Sequence, residues 1–271
     1  MPQLVKNAKL FNELVKQLPG YIGPDELIIG SQSSTPRAAV FHSESELRSP
    51  SAFTAFGQTS PDYLAVITKG LFAIEAEMED RARSIGSAVS RSGLDEVNQC
   101  RAMIYACNAA MHLAQKLASK AENMASVENH PYRKAELQEA ATMLKKVPAY
   151  GASSFKEACQ AFYFFQLALH LENGSYAVYP GGFDKLLYSF YQQDITRGVL
   201  TPEQAYEIVE CLWLKLCELS EVRAPRELDG YPMFDAMLQG VRLDDPALVI
   251  NDLSAMLLAA LMPLAAHAQS V

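Results

Sequence analysis

The side chains best suited to redox, metal or nucleophilic chemistry are five cysteines, Cys100, Cys107, Cys159, Cys211 and Cys217. A thiol does such work when it is ionised, paired with a second thiol or grouped with histidine around a metal. Their number is odd, and none forms a C-x-x-C pair or stands at zinc-finger spacing from a histidine. Cys100 and Cys107, seven residues apart, share one face of a helix-like stretch and read as small core hydrophobes. The pattern is that of a reduced, cytoplasmic chain. The histidines His42, His112, His130, His170 and His267 are scattered, and each reads as a structural or surface residue rather than a base or ligand. No phosphate loop, dinucleotide-binding glycine motif, H-E-x-x-H pair or G-x-S-x-G elbow occurs. With 31 acidic against 23 basic residues and a formal charge of -8, the chain has no electrostatic footprint for nucleic acid or anionic lipid. Its expected partner is a small molecule or another protein.

The elements that must position any site are helical. A length of 271 residues with 49% hydrophobic content suffices for a full core. Residues 1–18 carry Leu4, Val5, Leu10, Phe11, Leu14, Val15 and Leu18 near amphipathic spacing, ended by Pro19 and Gly20, with neither the apolar run nor the cleavage site of a secretory signal. Asp25 to Gly30 is a short apolar run between turn residues, as in a buried strand or extended segment. Residues 31–60 read as loop. Ser60 and Pro61 can open a helix whose core stripe is Leu64, Ile67, Leu71, Ile74 and Met78. Further helices are expected over 94–126, 134–146, 158–171, 183–195 and from Thr201 to Leu219, the last opened by a capping box of Thr201 and Gln204 with Pro202 at the first position. Ser154 and Glu157 suggest a second capping box, before a helix apolar almost all round. The uncharged stretch 253–271 is interrupted by Pro263 and turns polar short of the ~20 residues needed to span a bilayer, so it reads as a buried helix.

Several segments, in order, resemble the glycyl radical enzymes, the superfamily of pyruvate formate-lyase and of the glycerol, diol and choline-cleaving lyases. Pro24-Asp25-Glu26-Leu27-Ile28-Ile29-Gly30 with Pro36-Arg37-Ala38-Ala39 is similar to the family's N-terminal signature. Gly57-Gln58-Thr59-Ser60-Pro61-Asp62-Tyr63 resembles its Gly-His-Thr-x-x-Asp-Tyr segment. Lys146-Val147-Pro148-Ala149 and Ser154-Phe155-Lys156-Glu157-Ala158 resemble Arg-Val-Pro-Ala and Thr-Phe-x-Glu-Ala. Glu172-Asn173-Gly174 and Pro180-Gly181-Gly182-Phe183-Asp184-Lys185 resemble the Pro-Gly-Arg-Phe-Asp-Gln block, and Gly230-Tyr231-Pro232-Met233-Phe234 with Asn251-Asp252-Leu253-Ser254 the last block before the catalytic half. The dehydratase and decarboxylase branch is the nearest.

The resemblance implies a predominantly α-helical segment of an α/β barrel with few short strands, residues 1–271 forming a partial domain of the pyruvate formate-lyase type. In that family a glycine in an Arg-Val-x-Gly-Tyr motif stores a radical installed by an S-adenosylmethionine-dependent activase, and a cysteine that follows a glycine passes it to substrate for C–O, C–N or C–C cleavage. Here the cysteines follow Gln99, Ala106, Ala158, Glu210 and Leu216, and neither Gly20-Tyr21 nor Gly230-Tyr231 has the Arg-Val context. The long stretch that full-length members carry between the segments matching Ala39 and Gln58 is also missing. The chain thus lacks the catalytic cysteine loop and the glycine radical domain, holds no cofactor of its own, and is expected to be silent alone or, alternatively, to complement a separate chain that carries them. Candidate substrate contacts are Gln58, Tyr176 and Tyr179. Gln58 stands where the family commonly has His or Arg and cannot form a charged bidentate clamp. Tyr179 can donate a hydrogen bond to a hydroxylated or aromatic substrate, although Tyr176 and Tyr179 also fit half-buried strand positions. Asp184 reads as a cap or ion-pair residue rather than a base. The helix 158–171 and the tail 253–266 are the expected exposed apolar surfaces for protein association.

Overall fold

The computed structural model describes residues 1–18, 20–30, 61–85, 90–173 and 181–219. Eight helices carry this part: α1 (Gln3–Gln17), α2 (Tyr63–Lys69), α3 (Leu71–Ile85), α4 (Arg91–Val127), α5 (Pro131–Lys146), α6 (Phe155–Asn173), α7 (Phe183–Thr196) and α8 (Pro202–Glu218). Among the described residues there is no strand, in keeping with a mostly helical segment.

Two helices organise the packing. α4, 37 residues long, extends roughly 55 Å at 1.5 Å per residue and takes α1, α3 and α5 along its sides. Its buried face is rich in alanine (Ala109, Ala110, Ala114, Ala118, Ala121, Ala125) with Leu113 and Leu117 between, which lets neighbouring helix backbones approach closely. Ser90 starts it, its hydroxyl accepting from the Gly93 N–H at 3.2 Å. α1 rests on α4 through Val5, Ala8, Phe11 and Val15, whereas Leu4 and Leu10 are each 52% exposed, so the buried stripe is narrower than the sequence spacing suggests. Its C-terminus is held by Lys116 of α4, whose Nζ donates to the Lys16 carbonyl at 2.7 Å and also to that of Leu18.

The second organiser is α6. The sequence expectation of an apolar surface on this helix is overturned: Ala158, Cys159, Ala161, Phe162, Tyr163, Phe164 and Leu167 are all buried inside the bundle itself. A helix apolar on every side needs neighbours on every side, and α2, α4, α7 and α8 supply them. Its N-terminus departs from the expected box: Ser154 Oγ accepts from the Glu157 N–H at 3.2 Å, but Glu157 Oε2 reaches the Ser153 N–H, at 2.7 Å, not that of Ser154. Another first-turn donor, Phe155 N–H, goes to Asp194 of α7 at 2.7 Å, a cap contributed by another helix. α8 has the capping box its sequence announces, with Gln204 N–H on Thr201 Oγ1 at 3.2 Å and Thr201 N–H on Gln204 Oε1 at 2.9 Å.

The single helix expected from Ser60 onward is two. Asp62, not Ser60, caps α2 by accepting from the Ala65 N–H at 3.0 Å, and Gly70 at φ 83° ends it. The chain breaks there because residues 148–152 cross at contact: Leu71 and Phe72 N–H donate to the Pro148 and Ala149 carbonyls at 2.8 and 3.0 Å, and Ala152 N–H to the Ile67 carbonyl at 2.8 Å. A Cβ on Gly70 would stand 2.5 Å from Tyr150 Cα, so only glycine allows the crossing. Leu64, counted in the core stripe from sequence, is 49% exposed, while Ile67 and Leu71 are buried as expected. The tail 253–271 lies outside the described residues.

Candidate functional site

α2, α7 and α8 are oriented around α6 by contacts at both of its ends. At the N-terminal end, Ala152 binds the Ile67 carbonyl, Phe155 stacks edge-on to Tyr191 at 5.8 Å, and Asp194, which caps α6, also receives the Val199 N–H at 3.0 Å. Towards the C-terminal half, the Tyr63 ring lies 4.7 Å from Phe162 and 5.4 Å from Phe165, and its hydroxyl donates to Gln166. Phe183 packs edge-on to Phe162 at 5.2 Å and against Trp213 at 5.6 Å. The first residues of α2 and α7 and Trp213 of α8 therefore meet over the middle of α6. The loops that lead into α2 and α7 start from this point of a rigid scaffold, and such loops are where binding and catalytic residues concentrate.

Residues 20–30 run to the same place as an irregular strap with a turn at residues 24 and 25 and a bend at 27 and 28, so the buried strand or extended segment expected over Asp25–Gly30 is not formed. Ile28 and Ile29 are fully buried. In place of a neighbouring strand, the Gln160 amide pairs with the backbone, accepting from the Ile29 N–H and donating to the Ile29 carbonyl, both at 2.8 Å. Tyr163 O–H donates to the Gly30 carbonyl at 3.0 Å. Gly30 has φ 135°, and a Cβ there would stand 3.0 Å from the Tyr163 ring, so a side chain is excluded by conformation and by space. Glu26 pairs with Lys215 at 2.7 Å, and the Lys215 ammonium lies 5.5 Å from the Tyr163 ring centroid.

Several titratable groups across the bundle are perturbed by burial. Burial raises the Glu172 carboxyl above its ordinary range at the end of α6, and raises the Tyr63 phenol likewise. Cys107 is pushed up to about 12, chiefly by burial and then by the Glu75 charge. Burial also raises the thiols of Cys159, Cys211 and Cys217. All five cysteines sit within helices: Cys100 and Cys107 are buried packing residues as their sequence setting suggests, Cys159 is buried too, Cys211 is half-buried and Cys217 is exposed. Among the described residues no group of three or more His, Cys, Asp or Glu is arranged to hold a metal. His112 Nδ1 lies 3.2 Å from Asn12 Oδ1, and His130 precedes α5 with its ring 5.8 Å from Tyr132.

Gln58, Tyr176 and Tyr179 lie outside the described residues, as do His42 and His267. What the structure places is the chain on either side: Tyr63 follows Gln58, Glu172 precedes Tyr176, and Phe183 follows Tyr179. Tyr63 and Phe183 touch the same Phe162 ring. Asp184 is in the first turn of α7, whose N-cap is Gly182, and the expected cap bond is not made; among the described residues it forms no ion pair. A capping role belongs to Asp194 instead, at α6. Gln160, Asp194, Glu26 and Lys215 escape local sequence reading because their partners are tens to hundreds of residues away. A shallow depression of about 380 Å³, lined by residues including Gln138, Thr142, Lys156 and Glu157, lies instead beside the N-terminus of α6. No described helix is long and apolar enough to cross a membrane.

Comparison with known proteins matches residues 44–270 to the family described as pyruvate formate lyase-like. The isethionate sulfite-lyase of Bilophila wadsworthia is 30% identical over 209 residues, 75% of this chain and 25% of that protein. The trans-4-hydroxy-L-proline dehydratase of Clostridioides difficile is 28% identical over 179 residues, 66% of this chain and 22% of that protein. The chain thus spans about a quarter of the length of these relatives. The glycerol-bound glycerol dehydratase of Clostridium butyricum superposes with a TM-score of 0.73 at 22% identity, over 85% of this chain and 37% of that one, which establishes a common fold. The ordered motifs and the helical bundle have one explanation: this chain belongs to the pyruvate formate lyase-like family of glycyl radical enzymes and matches the N-terminal part of its relatives.

Proposed function

We propose that residues 1–271 form a partial pyruvate formate-lyase-type domain, the helical N-terminal part of a cytoplasmic glycyl radical lyase of anaerobic metabolism, and that this chain is catalytically silent without a cysteine-bearing half. The observation that carries the proposal is the setting of the cysteines. A thiyl radical that must reach substrate needs a sulfur at a loop tip, and Cys100, Cys107, Cys159, Cys211 and Cys217 are all held within α4, α6 and α8. In the family the radical on glycine, installed by the activase, supplies the hydrogen abstraction. This chain's share is to wall the pocket and orient a small polar substrate away from water.

Gln58, Tyr176 and Tyr179 are the substrate contacts in this reading, supported by the meeting of Tyr63 and Phe183 on Phe162. With two tyrosines and a glutamine, recognition rests on neutral hydrogen bonds rather than on a charged clamp for a carboxylate. The relatives act as a sulfite-lyase and a dehydratase, so release of sulfite joins C–O, C–N and C–C cleavage among the reactions to be tried.

The test is anaerobic incubation of the chain with an activase and S-adenosylmethionine, alone and with a second polypeptide carrying the Gly-Cys and Arg-Val-x-Gly-Tyr segments. The expected result is no glycyl radical in the electron spin resonance spectrum and no turnover from the chain alone, with both appearing in the mixture. Turnover from the chain alone would end the proposal. Capture of the second polypeptide in a stable complex marks this chain as a complementing subunit.

A further inference from the structure

Apart from a backbone bridge at Tyr21, the bonds that hold the strap of residues 20–30 among the described residues come from side chains of three helices. From α5, Arg133 donates to the Gly23 carbonyl at 2.9 Å and to the Glu26 carbonyl at 3.2 Å. From α6, Gln160 and Tyr163 hold Ile29 and Gly30. From α8, Lys215 reaches the Glu26 carboxylate at 2.7 Å, with the two side chains only 5% and 10% exposed. Glu26 is thus gripped from both sides, its carbonyl by α5 and its carboxylate by α8.

A buried ion pair is a poor source of stability, because removing two charges from water offsets most of their attraction, and an apolar pair of similar volume would hold the same helices. What an ion pair adds is geometric selectivity, since only one register of strap against α8 lets the ammonium meet the carboxylate. The Tyr163 ring beneath Lys215 narrows that choice, because the same tyrosine binds the Gly30 carbonyl.

We propose that the Glu26–Lys215 pair is a clasp that couples the strap to the last turns of α8, so that the positions of the strap up to Gly30 and of α8 up to Leu219 are set together. Displacing Lys215 takes the α8 ammonium from the Glu26 carboxylate, and the strap then loses this hold on α8 while Arg133 still binds the Gly23 and Glu26 carbonyls and Gln160 still holds Ile29. The two segments respond jointly although 185 residues separate Gly30 from Lys215 in sequence. The inference concerns this chain's own conformation and does not depend on the radical-enzyme reading.

Amide hydrogen exchange on the full chain tests it. In Lys215→Met, the Ile29 amide and the amides of the last two turns of α8 are expected to exchange at least tenfold faster, while the α4 amides around Ala114 keep their rates. Glu26→Gln should give the same joint response, and the double variant no more than either single change. Lys145→Met, which breaks the exposed pair with Glu122, should leave both segments unchanged. Faster exchange in α8 with an unaltered Ile29 overturns the clasp, as does a double variant whose effects simply multiply. Should Lys215→Met fail to fold, Glu26→Asp, which keeps the charge but withdraws it by one methylene, is read by the same two amides.

Discussion

Replacing Gln160 with leucine is the sharpest probe of how the strap is held. The side chain is fully buried and makes two hydrogen bonds of 2.8 Å with the N–H and carbonyl of Ile29, itself fully buried. Leucine is close in volume and adds apolar contact, so little is lost to a cavity. The Ile29 N–H and carbonyl are left without partners, each at about 1–3 kcal/mol. Part of that returns through the better burial of leucine, giving a net loss of about 3 kcal/mol. For a chain of this size the loss corresponds to a drop of about 6–12 °C in Tm. Urea unfolding followed by circular dichroism reads it as a lower midpoint at unchanged slope. Gln160→Glu separates the two bonds: the acceptor for the Ile29 N–H survives, but a carboxylate oxygen now opposes the Ile29 carbonyl, so the loss at pH 7 should match or exceed that of leucine and shrink once the carboxyl is protonated. A leucine variant within about 0.5 kcal/mol of the parent, the range of a neutral surface change, would refute the view that this amide substitutes for a strand.

Gly70→Ala forces a side chain into positive φ and into Tyr150, and a loss of more than about 2 kcal/mol in urea unfolding is expected. Glu157 is opposed by burial, but Lys146 and the Ser153 N–H and hydroxyl outweigh it and hold the carboxyl below its ordinary 4.5. A depressed carboxyl stabilises the fold above pH 4.5 and loses that contribution as pH falls through the folded value, so Glu157→Gln should flatten the acid side of a Tm-against-pH curve. Glu172 has the opposite sign: burial raises it, its ionisation weighs against the folded state above pH 4.5, and Glu172→Gln should raise Tm at pH 7 and not at pH 4. Thiol alkylation followed by mass spectrometry should modify Cys217, which is exposed, well before Cys107 and Cys159, and equal rates would contradict their packing roles.

Most of the helices were legible because their signals are local. The Thr201, Pro202 and Gln204 cap, the Pro131 start of α5 and the glycines and prolines between helices each act within a few residues, and the helix ends fall within a few residues of those expected. The family was legible too, since short motifs in a fixed order survive at low overall identity. The failures share a physical cause. The break at Gly70 depends on Tyr150 crossing it, the exposure of Leu64 on how α2 lies against α6, and the cap of α6 on Asp194.

The apolar helix around Phe162 shows the division most clearly. By itself the sequence determined that this segment is a helix needing cover on every side, that the chain is acidic with helical cysteines, and that its motifs follow those of glycyl radical enzymes. It could not say where the cover comes from. The tertiary structure decided that α2, α4, α7 and α8 supply it, turning an expected interface into a core, and brought Glu26 to Lys215 and Ile29 to Gln160. Helix propensity, capping and periodicity act over three or four residues of chain. Burial and buried polar pairing depend on which distant surfaces meet, and only folding brings those together.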